Sequence, residues 1–236
     1  MSYSHELKDA AGFNKQRDML NSRANDPLTV VDVGGNRGQS VEAYLELFPQ
    51  AKIHSIEPHP VPFAELQQRY AEHPTVQAEC FALGAEPGRA TFHAADLSEV
   101  SSLLAPDPLV VKRSVNDTYR HQEIEVEVDT LQAFAARSGI DHIDVLKLDV
   151  QGAELQVLEG AAELLREQQI DLLFVEVMFA ANYSGQCYLD ELWTHLKDYG
   201  YVLWDLFPFL HTRAGRLWTG NSIFVSPRLA GQLDPR

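Results

Sequence analysis

The residues of this chain best suited to chemistry are acidic and small residues that directly follow apolar runs. The first group is the segment 32–38, which begins at the end of the apolar run 28–33, continues into a turn and precedes a helical pattern. Glycines in such a turn allow positive φ and a close approach of the backbone to a ligand. The end of a first strand is also where open α/β sheets bind ligands. The turn therefore predicts a ligand site built from the following residues: Asp32, Gly34, Gly35, Asn36 and Gly38.

The spacing of these glycines argues against a dinucleotide. The fingerprint G-x-G-x-x-G would need glycine at 34, 36 and 39, but Asn36 and Gln39 occupy the last two positions. The observed pattern, D-x-G-x-x-x-G, suits an amino acid and a ribose better than a pyrophosphate. Glu57 follows the next apolar run, 52–56, and a carboxylate there can accept both hydroxyls of a ribose. An NAD(P)-dependent oxidoreductase remains open as the alternative enzyme.

A second charged group surrounds the end of a later apolar run, 143–148. Lys147 and Asp149 have the same strand parity, so their side chains share a side and can pair. Since a charge inside an apolar strand is costly unless paired, Lys147 fits a structural salt bridge as well as catalysis. Glu154 fits either catalysis or a structural role, in which its negative charge interacts favourably with the helix dipole in the first turn of a helix. Glu176, within a very apolar strand, indicates a site residue or a buried ion pair.

Alternating strand and helix patterns must position these groups, and they predict an α/β fold with a doubly wound, mostly parallel sheet. Predicted strands cover 28–33, 52–56, 76–81, 90–93, 123–128, 143–148, 170–177, 201–206 and 222–225. Predicted helices include 4–22, a helix from the N-cap Asp129 to Gly139, 155–165 and 189–196. The last two strands have no helix-sized segment between them, so they should pair antiparallel around an aromatic loop at 207–221.

This pattern divides the chain into an N-terminal helical segment, 1–27, and one domain, 28–236, with an inserted loop and strand region at 84–128. Within that insertion, residues 94–122 are expected to form a loop or lid.

The bulk composition excludes several classes of protein. The chain has 34 acidic and 19 basic residues, for a net charge of −15, which disfavours nucleic acid and anionic membranes as partners. Two cysteines make no disulfide framework. The N-terminus lacks an apolar signal region, and no apolar run has the ~20 residues of a membrane span. We therefore expect a cytoplasmic protein, with an oligomeric state that the sequence does not indicate.

Several motifs resemble the FkbM family of methyltransferases. They are residues 31–39 (VDVGGNRGQ), 56–58 (IEP), 82–84 (ALG) with Gly88 and Phe92, 101–103 (SSL), 146–154 (LKLDVQGAE), 157–161 (VLEGA), 175–177 (VEV) and 220–225 (GNSIFV). The similarity covers roughly residues 28–226, and K-x-D-x-Q-G-A-E is its most specific part. It implies a class I methyltransferase, Rossmann-like fold, with a seven-stranded sheet whose last strand is antiparallel.

The same resemblance implies S-adenosylmethionine as methyl donor and a hydroxyl as acceptor, since family members methylate polyketides, sugars and glycans. Carried over by motif, Gly34, Gly35, Asn36 and Gln39 would face the methionine part of the donor, and Glu57 would hold its ribose. Ala82 and Leu83 would border the adenine, and Asp149 would lie below the sulfonium. The chain departs from the commonest family pattern at Gly35 and Gly84.

Methylation of an alcohol is helped by a base near the acceptor. Asp149, Glu176 and His211 are the candidate bases, and Lys147 is a further candidate catalytic residue. If Asp149 and Glu176 end neighbouring strands, their carboxylates could instead bind Mg²⁺, although no metal-type histidine pair is present. A non-catalytic scaffold that binds S-adenosylmethionine is the alternative from another class, and an RNA methyltransferase is disfavoured by the charge.

Overall fold

The structure is a computed structural model that describes residues 5–113, 118–212 and 214–235. Residues 1–4 of the predicted N-terminal segment, 114–117 of the predicted loop at 94–122, 213 of the predicted aromatic loop and 236 lie outside the described residues. In the described part of the chain, no helix is both long and apolar enough to span a membrane.

The strands, in chain order, are β1 (Thr29–Val33), β2 (Lys52–Ile56), β3 (Val76–Glu79), β4 (Ala82–Leu83), β5 (Gly88–Ala95), β6 (His121–Asp129), β7 (Ile143–Leu148), β8 (Ile170–Met178), β9 (Val202–His211) and β10 (Leu217–Val225). The helices are α1 (His5–Met19), α2 (Gln39–Leu47), α3 (Pro60–Tyr70), α4 (Pro108–Arg113), α5 (Leu131–Ser138), α6 (Glu154–Glu159), α7 (Ala162–Arg166), α8 (Leu189–Asp198) and α9 (Pro227–Leu233). Short 3₁₀ turns cover Asn21–Arg23 and Ser98–Val100.

A seven-stranded sheet organises the molecule, in the order β3-β2-β1-β7-β8-β10-β9. Its first five strands in this order are parallel, whereas β10 is antiparallel to both neighbours. The order in which strands are added to the sheet reverses at β1, because β2 and β7 lie on opposite sides of it. Open α/β sheets bind ligands at such a point, outside the carboxyl ends of the strands. The predicted fold class and the antiparallel last pair of strands are confirmed.

Two hydrophobic clusters fill the two faces of this sheet. One joins Phe134 of α5, Val157 of α6 and Leu192 of α8 to the sheet, and the other joins Tyr44 of α2 and Leu66 of α3. Since successive strand residues point to opposite faces, the neighbouring Val30 and Val31 belong to different clusters.

The N-terminal helix α1 packs against the second of these faces. The Phe13 ring lies 5.1 Å from the Tyr44 ring and 5.5 Å from the Phe174 ring, between centroids. A Cβ atom at Gly12 would come within 2.6 Å of the Phe174 ring, so this close approach requires glycine. The helix thereby brings its residues to the edge of the sheet where the ligand site is predicted.

The inserted region forms a second sheet, in the order β4-β6-β5. The predicted strands at 90–93 and 123–128 are confirmed, and both are longer than predicted because β5 and β6 pair antiparallel from Gly88–Val128 to Ala95–His121. The predicted strand at 76–81 ends earlier, at Glu79, and Ala82 and Leu83 then pair with β6 in this second sheet.

Three local predictions were wrong. Much of the aromatic segment 207–221 is a β-hairpin, because Phe207 pairs with Asn221 and His211 with Leu217 across β9 and β10. The N-cap of α5 is Thr130, whose hydroxyl accepts from the Ala133 N–H, whereas the Asp129 carboxylate accepts from the Thr130 N–H. The predicted helix at 155–165 is split into α6 and α7 around Gly160, and a Cβ there would lie 2.1 Å from the Gly84 carbonyl oxygen.

Candidate active site

A cavity of about 550 Å³ opens at the carboxyl ends of β1, β2, β7 and β8. Most of the predicted site residues line it: Gly34, Gly35, Asn36, Gln39, Glu57, Ala82, Leu83, Lys147, Asp149 and Glu176. Residues that were not predicted also line it, including Phe13 and Asn14 of α1, Gln151 and Asn221. The helix α1 therefore contributes to the wall of the site as well as to the core.

The turn after β1 is tightly packed at its two glycines, and at Gly34 the backbone of another strand end leaves no space for a side chain. Gly34 has φ of 84°, and a Cβ there would lie 1.9 Å from the Asp149 carbonyl oxygen. A Cβ at Gly35 would lie 2.0 Å from the Ser55 hydroxyl. The N–H groups of both glycines donate to the Ile56 carbonyl, at 2.9 and 3.1 Å. Two strands thus fix the turn, and its exposed edge forms the cavity wall.

Asp32 and Gly38 support this wall without lining it, which corrects their predicted role as direct ligand contacts. Asp32 is fully buried, and its Oδ2 accepts hydrogen bonds from the Ser40 hydroxyl at 2.7 Å and the Ser55 hydroxyl at 2.8 Å. Gly38 has φ of 88° at the start of α2, where a Cβ would lie 2.7 Å from the Tyr70 ring. Both residues therefore position the turn from behind.

Glu57 places a buried carboxylate in the cavity. Its two oxygens accept from the backbone N–H of Asn36 at 2.9 Å and of His59 at 2.7 Å. Burial raises the pKa of Glu57 to about 7, even though these hydrogen bonds favour the charged form. The side chain is only 5% exposed, so a ligand hydroxyl that reaches it would meet a desolvated acceptor.

The neighbouring wall is apolar and lies beside this carboxylate. Ala82 and Leu83 of β4, together with the preceding Phe81, form one part of this wall. Phe92 of β5 forms another part. Ligand pockets are lined mainly by apolar and aromatic side chains. The predicted pair Ala82 and Leu83 therefore lies on an apolar part of the cavity wall.

Lys147 lies between two carboxylates at the base of the cavity. Its ammonium is 3.3 Å from Asp32 Oδ1 and 3.5 Å from Asp149 Oδ2. The pairing predicted from strand parity is therefore present, and it relieves the cost of burying the lysine. The pair also fixes Asp149, because the ammonium holds one oxygen of that carboxylate.

Gln151 joins the two candidate bases, and the sequence reasoning gave it no role. Its side-chain amide donates to Asp149 Oδ1 at 2.9 Å and to Glu176 Oε2 at 2.6 Å. The side-chain carbonyl oxygen of Gln151 accepts a hydrogen bond from the Tyr183 hydroxyl at 3.0 Å. Gln151 has φ of 56°, a left-handed conformation that is uncommon for residues other than glycine. Its position in the K-x-D-x-Q-G string was the only available signal.

Glu154 holds the turn that carries these groups. It is buried, and its Oε1 accepts from the backbone N–H of Val150 at 3.0 Å and of Gly152 at 3.2 Å. Burial raises the pKa of Glu154 to about 7. The carboxylate does not line the cavity, so the structural interpretation of Glu154 fits better than the catalytic one.

His211 is not brought to the cavity. It is exposed at the end of β9, opposite Leu217, and does not line the pocket. The extension of β9 and β10 into a hairpin carries it away from Asp149 and Glu176, which do lie together. The structure therefore corrects its predicted place among the catalytic candidates.

The residues around Asp149 and Glu176 do not fit the Mg²⁺ site that the sequence left open. The Gln151 amide directs its N–H groups at both carboxylates, at 2.9 and 2.6 Å, and such donors repel a cation. Mg²⁺ requires converging oxygen ligands.

A sheet whose seventh strand runs against the other six is the fold of class I methyltransferases, and this chain has that fold. The methyltransferase domain of METTL16 superposes with a TM-score of 0.54 at 7% identity, covering 96% of this chain and 70% of that one. A family model described as the methyltransferase FkbM domain matches residues 32–203 of the chain. The chain therefore belongs to the FkbM methyltransferase family.

Two relatives illustrate the range of this family. The chain is 26% identical to the 2-O-methyltransferase NoeI of Sinorhizobium fredii over 171 residues, which cover 68% of this chain and 67% of NoeI. It is 32% identical to the 31-O-demethyl-FK506 methyltransferase FkbM of Streptomyces tacrolimicus over 157 residues, which cover 57% of this chain and 59% of that protein. The chain thus spans between 59% and 67% of the length of the curated relatives it matches.

Proposed function

We propose that the protein transfers the methyl group of S-adenosylmethionine to a hydroxyl oxygen of a sugar, glycan or polyketide-like small molecule. The observation that carries this proposal is the joint position of Glu57, the Gly34 turn and the bridged pair Asp149 and Glu176 around one cavity. The names of the two relatives, a 2-O- and a 31-O-methyltransferase, support oxygen as the acceptor atom.

The residues present fit the donor. Glu57 would accept the ribose hydroxyls, and the wall of Ala82, Leu83 and Phe92 would cover the adenine. The glycine turn would place its main chain against the methionine part, since Gly34 and Gly35 line the cavity and pack closely against Asp149 and Ser55 on their other side. Asp149 would lie near the sulfonium, where a carboxylate stabilises positive charge. These roles follow from the chemistry of each group and its place on the cavity wall.

S-adenosylmethionine supplies an electrophilic methyl group, so the protein must align the acceptor oxygen and accept its proton. As the oxygen–methyl bond forms, the carbon–sulfur bond breaks and sulfur keeps the electron pair. Lys147 already holds Asp149 Oδ2 in an ion pair at 3.5 Å, which occupies that oxygen. We therefore assign the proton to Glu176, which would release it to solvent after turnover.

Calorimetry and a methyl-transfer assay test this proposal together. S-adenosylhomocysteine should bind the purified protein, and NAD should not. Glu57→Gln should weaken that binding by about 10-fold or more, the equivalent of one hydrogen bond to a charged group. Glu176→Gln should leave binding intact and lower kcat by about 100-fold, the usual contribution of a general base. Glu86→Gln, at an exposed turn position, is the matched control and should change neither.

The acceptor is sought with labelled donor and a panel of sugars, glycans and macrolide alcohols. Binding of NAD without S-adenosylhomocysteine would support an oxidoreductase and contradict the proposal. Donor binding without methylation of any hydroxyl would favour the non-catalytic scaffold instead.

A further inference from the structure

The second sheet carries a cluster of metal-ligating side chains that the proposed methyl transfer does not use. It consists of His93 on β5 with His121 and Glu123 on β6. His93 lies directly opposite Glu123 in the antiparallel register, and His121 is two residues earlier on the same face of β6. Direct and diagonal neighbours of this kind are close enough for side chains to meet.

The three side chains converge. Each offers one ligand atom, and these atoms lie within 4.8 Å of one another. His93 Nδ1 is buried without a hydrogen-bond partner and lies 3.9 Å from Glu123 Oε1. An orphaned buried imidazole nitrogen is costly in a folded protein, and a bound cation would relieve that cost.

A backbone carbonyl orients the second histidine. His121 Nδ1 lies 2.9 Å from the Tyr119 carbonyl oxygen, so this nitrogen carries the proton and donates it. The other nitrogen, Nε2, is then the one with the free lone pair. Most metal-binding histidines are held in this way by an outer carbonyl or carboxylate.

We propose that His93, His121 and Glu123 bind a divalent transition metal, with Zn²⁺ as the ion that their chemistry fits best. Two imidazole nitrogens and one carboxylate oxygen are a common ligand set for zinc, and a water completes four-coordination.

A second cluster in the described residues shows why mere proximity is insufficient. His142, Asp144 and Asp171 also converge, but two guanidinium groups already occupy their carboxylates. Arg23 lies 2.7 Å from Asp144 Oδ1, and Arg228 lies 2.6 Å from Asp171 Oδ1. This cluster is an ion-pair network, and we expect no metal there.

The proposed ion would join β5 to β6 close to the cavity. The neighbour of His93 in sequence, Phe92, lines the cavity. The His93 backbone N–H donates to the Ser102 backbone carbonyl at 2.8 Å. The Ser102 hydroxyl in turn donates to the backbone carbonyl of Gln151 at 2.9 Å. Metal binding should therefore stiffen one wall of the cavity, although the proposal does not depend on the methyltransferase activity.

The test measures Zn²⁺ bound by the full chain, purified without a polyhistidine tag, in competition with a chromogenic chelator. One ion per chain is expected for the unmodified protein. His93→Ala and His121→Ala should each weaken binding by at least the ~10–100-fold typical of losing an outer-shell partner. His142→Ala is the matched control and should bind zinc as the unmodified protein does.

Two further measurements keep the result decisive if a histidine variant folds poorly. Glu123 is 67% exposed, so Glu123→Gln should fold normally and still weaken zinc binding. Co²⁺ bound to the unmodified protein should give the visible spectrum of a four-coordinate site with nitrogen and oxygen ligands. Absence of stoichiometric binding, equal affinity in Glu123→Gln, or loss of binding in His142→Ala alone would overturn the assignment.

Discussion

The side-chain amide of Gln151 donates a 2.6 Å hydrogen bond to the carboxylate of Glu176, and the same amide donates to Asp149 at 2.9 Å. Two carboxylates at one cavity edge would otherwise repel each other, and one of them would take up a proton more readily. The amide donates to both carboxylates and thereby fixes their separation. It is a positioning group for the proposed chemistry.

Replacing Gln151 by Asn should separate the two carboxylates while keeping the backbone. Asn tolerates the left-handed conformation at this position, but its side chain is one methylene too short to bridge both acids. We expect kcat for methyl transfer to fall by about 100-fold, as misplacement by about 1 Å does in other sites. The affinity for S-adenosylhomocysteine should change little, so the loss should appear in kcat and not in donor binding.

Gln77→Asn, an exposed position on the edge strand β3, is the control for this variant. An unchanged kcat in Gln151→Asn would show that the bridge has no part in positioning the acids.

Gly34→Ala should cost more stability than positive φ alone explains. Gly34 and Gly139 have φ of 84° and 67°, but an added Cβ meets the Asp149 carbonyl at 1.9 Å in the first case and nothing within 4 Å in the second. Gly139→Ala should therefore lose only ~1–2 kcal/mol of conformational strain. Gly34→Ala should lose more free energy of unfolding, as measured in urea, and its affinity for S-adenosylhomocysteine should fall. Equal losses in the two variants would contradict this account of the turn.

Glu154 should make the free energy of unfolding fall as the pH rises. Burial raises its pKa from 4.5 to about 7, so the folded state binds this proton where the unfolded state has released it. Its contribution is complete below pH 4.5 and is lost as the pH rises towards 7, by on the order of 3 kcal/mol at 1.4 kcal/mol per pKa unit. Glu154→Gln keeps an acceptor for the turn and removes this dependence.

The comparison is made by urea unfolding at pH 5 and pH 8. The unmodified protein should lose more stability between the two than Glu154→Gln does, and the exposed Glu159→Gln should behave like the unmodified protein. The same pH dependence in Glu154→Gln would refute the assignment of the proton.

Arg228 should stabilise the fold through Asp171, far from the cavity. Burial alone would raise the pKa of Asp171, but hydrogen bonds from His142 and Arg228 lower it below 3.8. Arg228→Ala should cost ~1.5–3 kcal/mol at pH 7, the value of a hydrogen bond to a charged group. Because the folded pKa is lowered, this difference should shrink as the pH falls through it. Arg166→Ala, in an exposed pair with Glu163, should cost less than ~1 kcal/mol.

The sequence determined much of the fold, because the period of its apolar residues reports which face of each element is buried. The strands at 52–56 and 143–148 agree residue for residue with β2 and β7. The turn at Gly34 and Gly35, with Glu57 and Asp149 at neighbouring strand ends, could be placed at one crevice because parallel strands bring their carboxyl ends together.

Only the tertiary structure decided which of these groups form the cavity wall and which support it. Asp32, within β1, lies behind the wall, whereas Glu57, directly after β2, lines it, and His211 is carried away by the hairpin of β9 and β10. Gln151 and the pair His93 and His121 acquire partners from distant segments. Local residue types fix the secondary-structure propensity of a segment and the face of a strand to which each side chain points. Side-chain contacts depend instead on the register and packing of elements far apart in the chain.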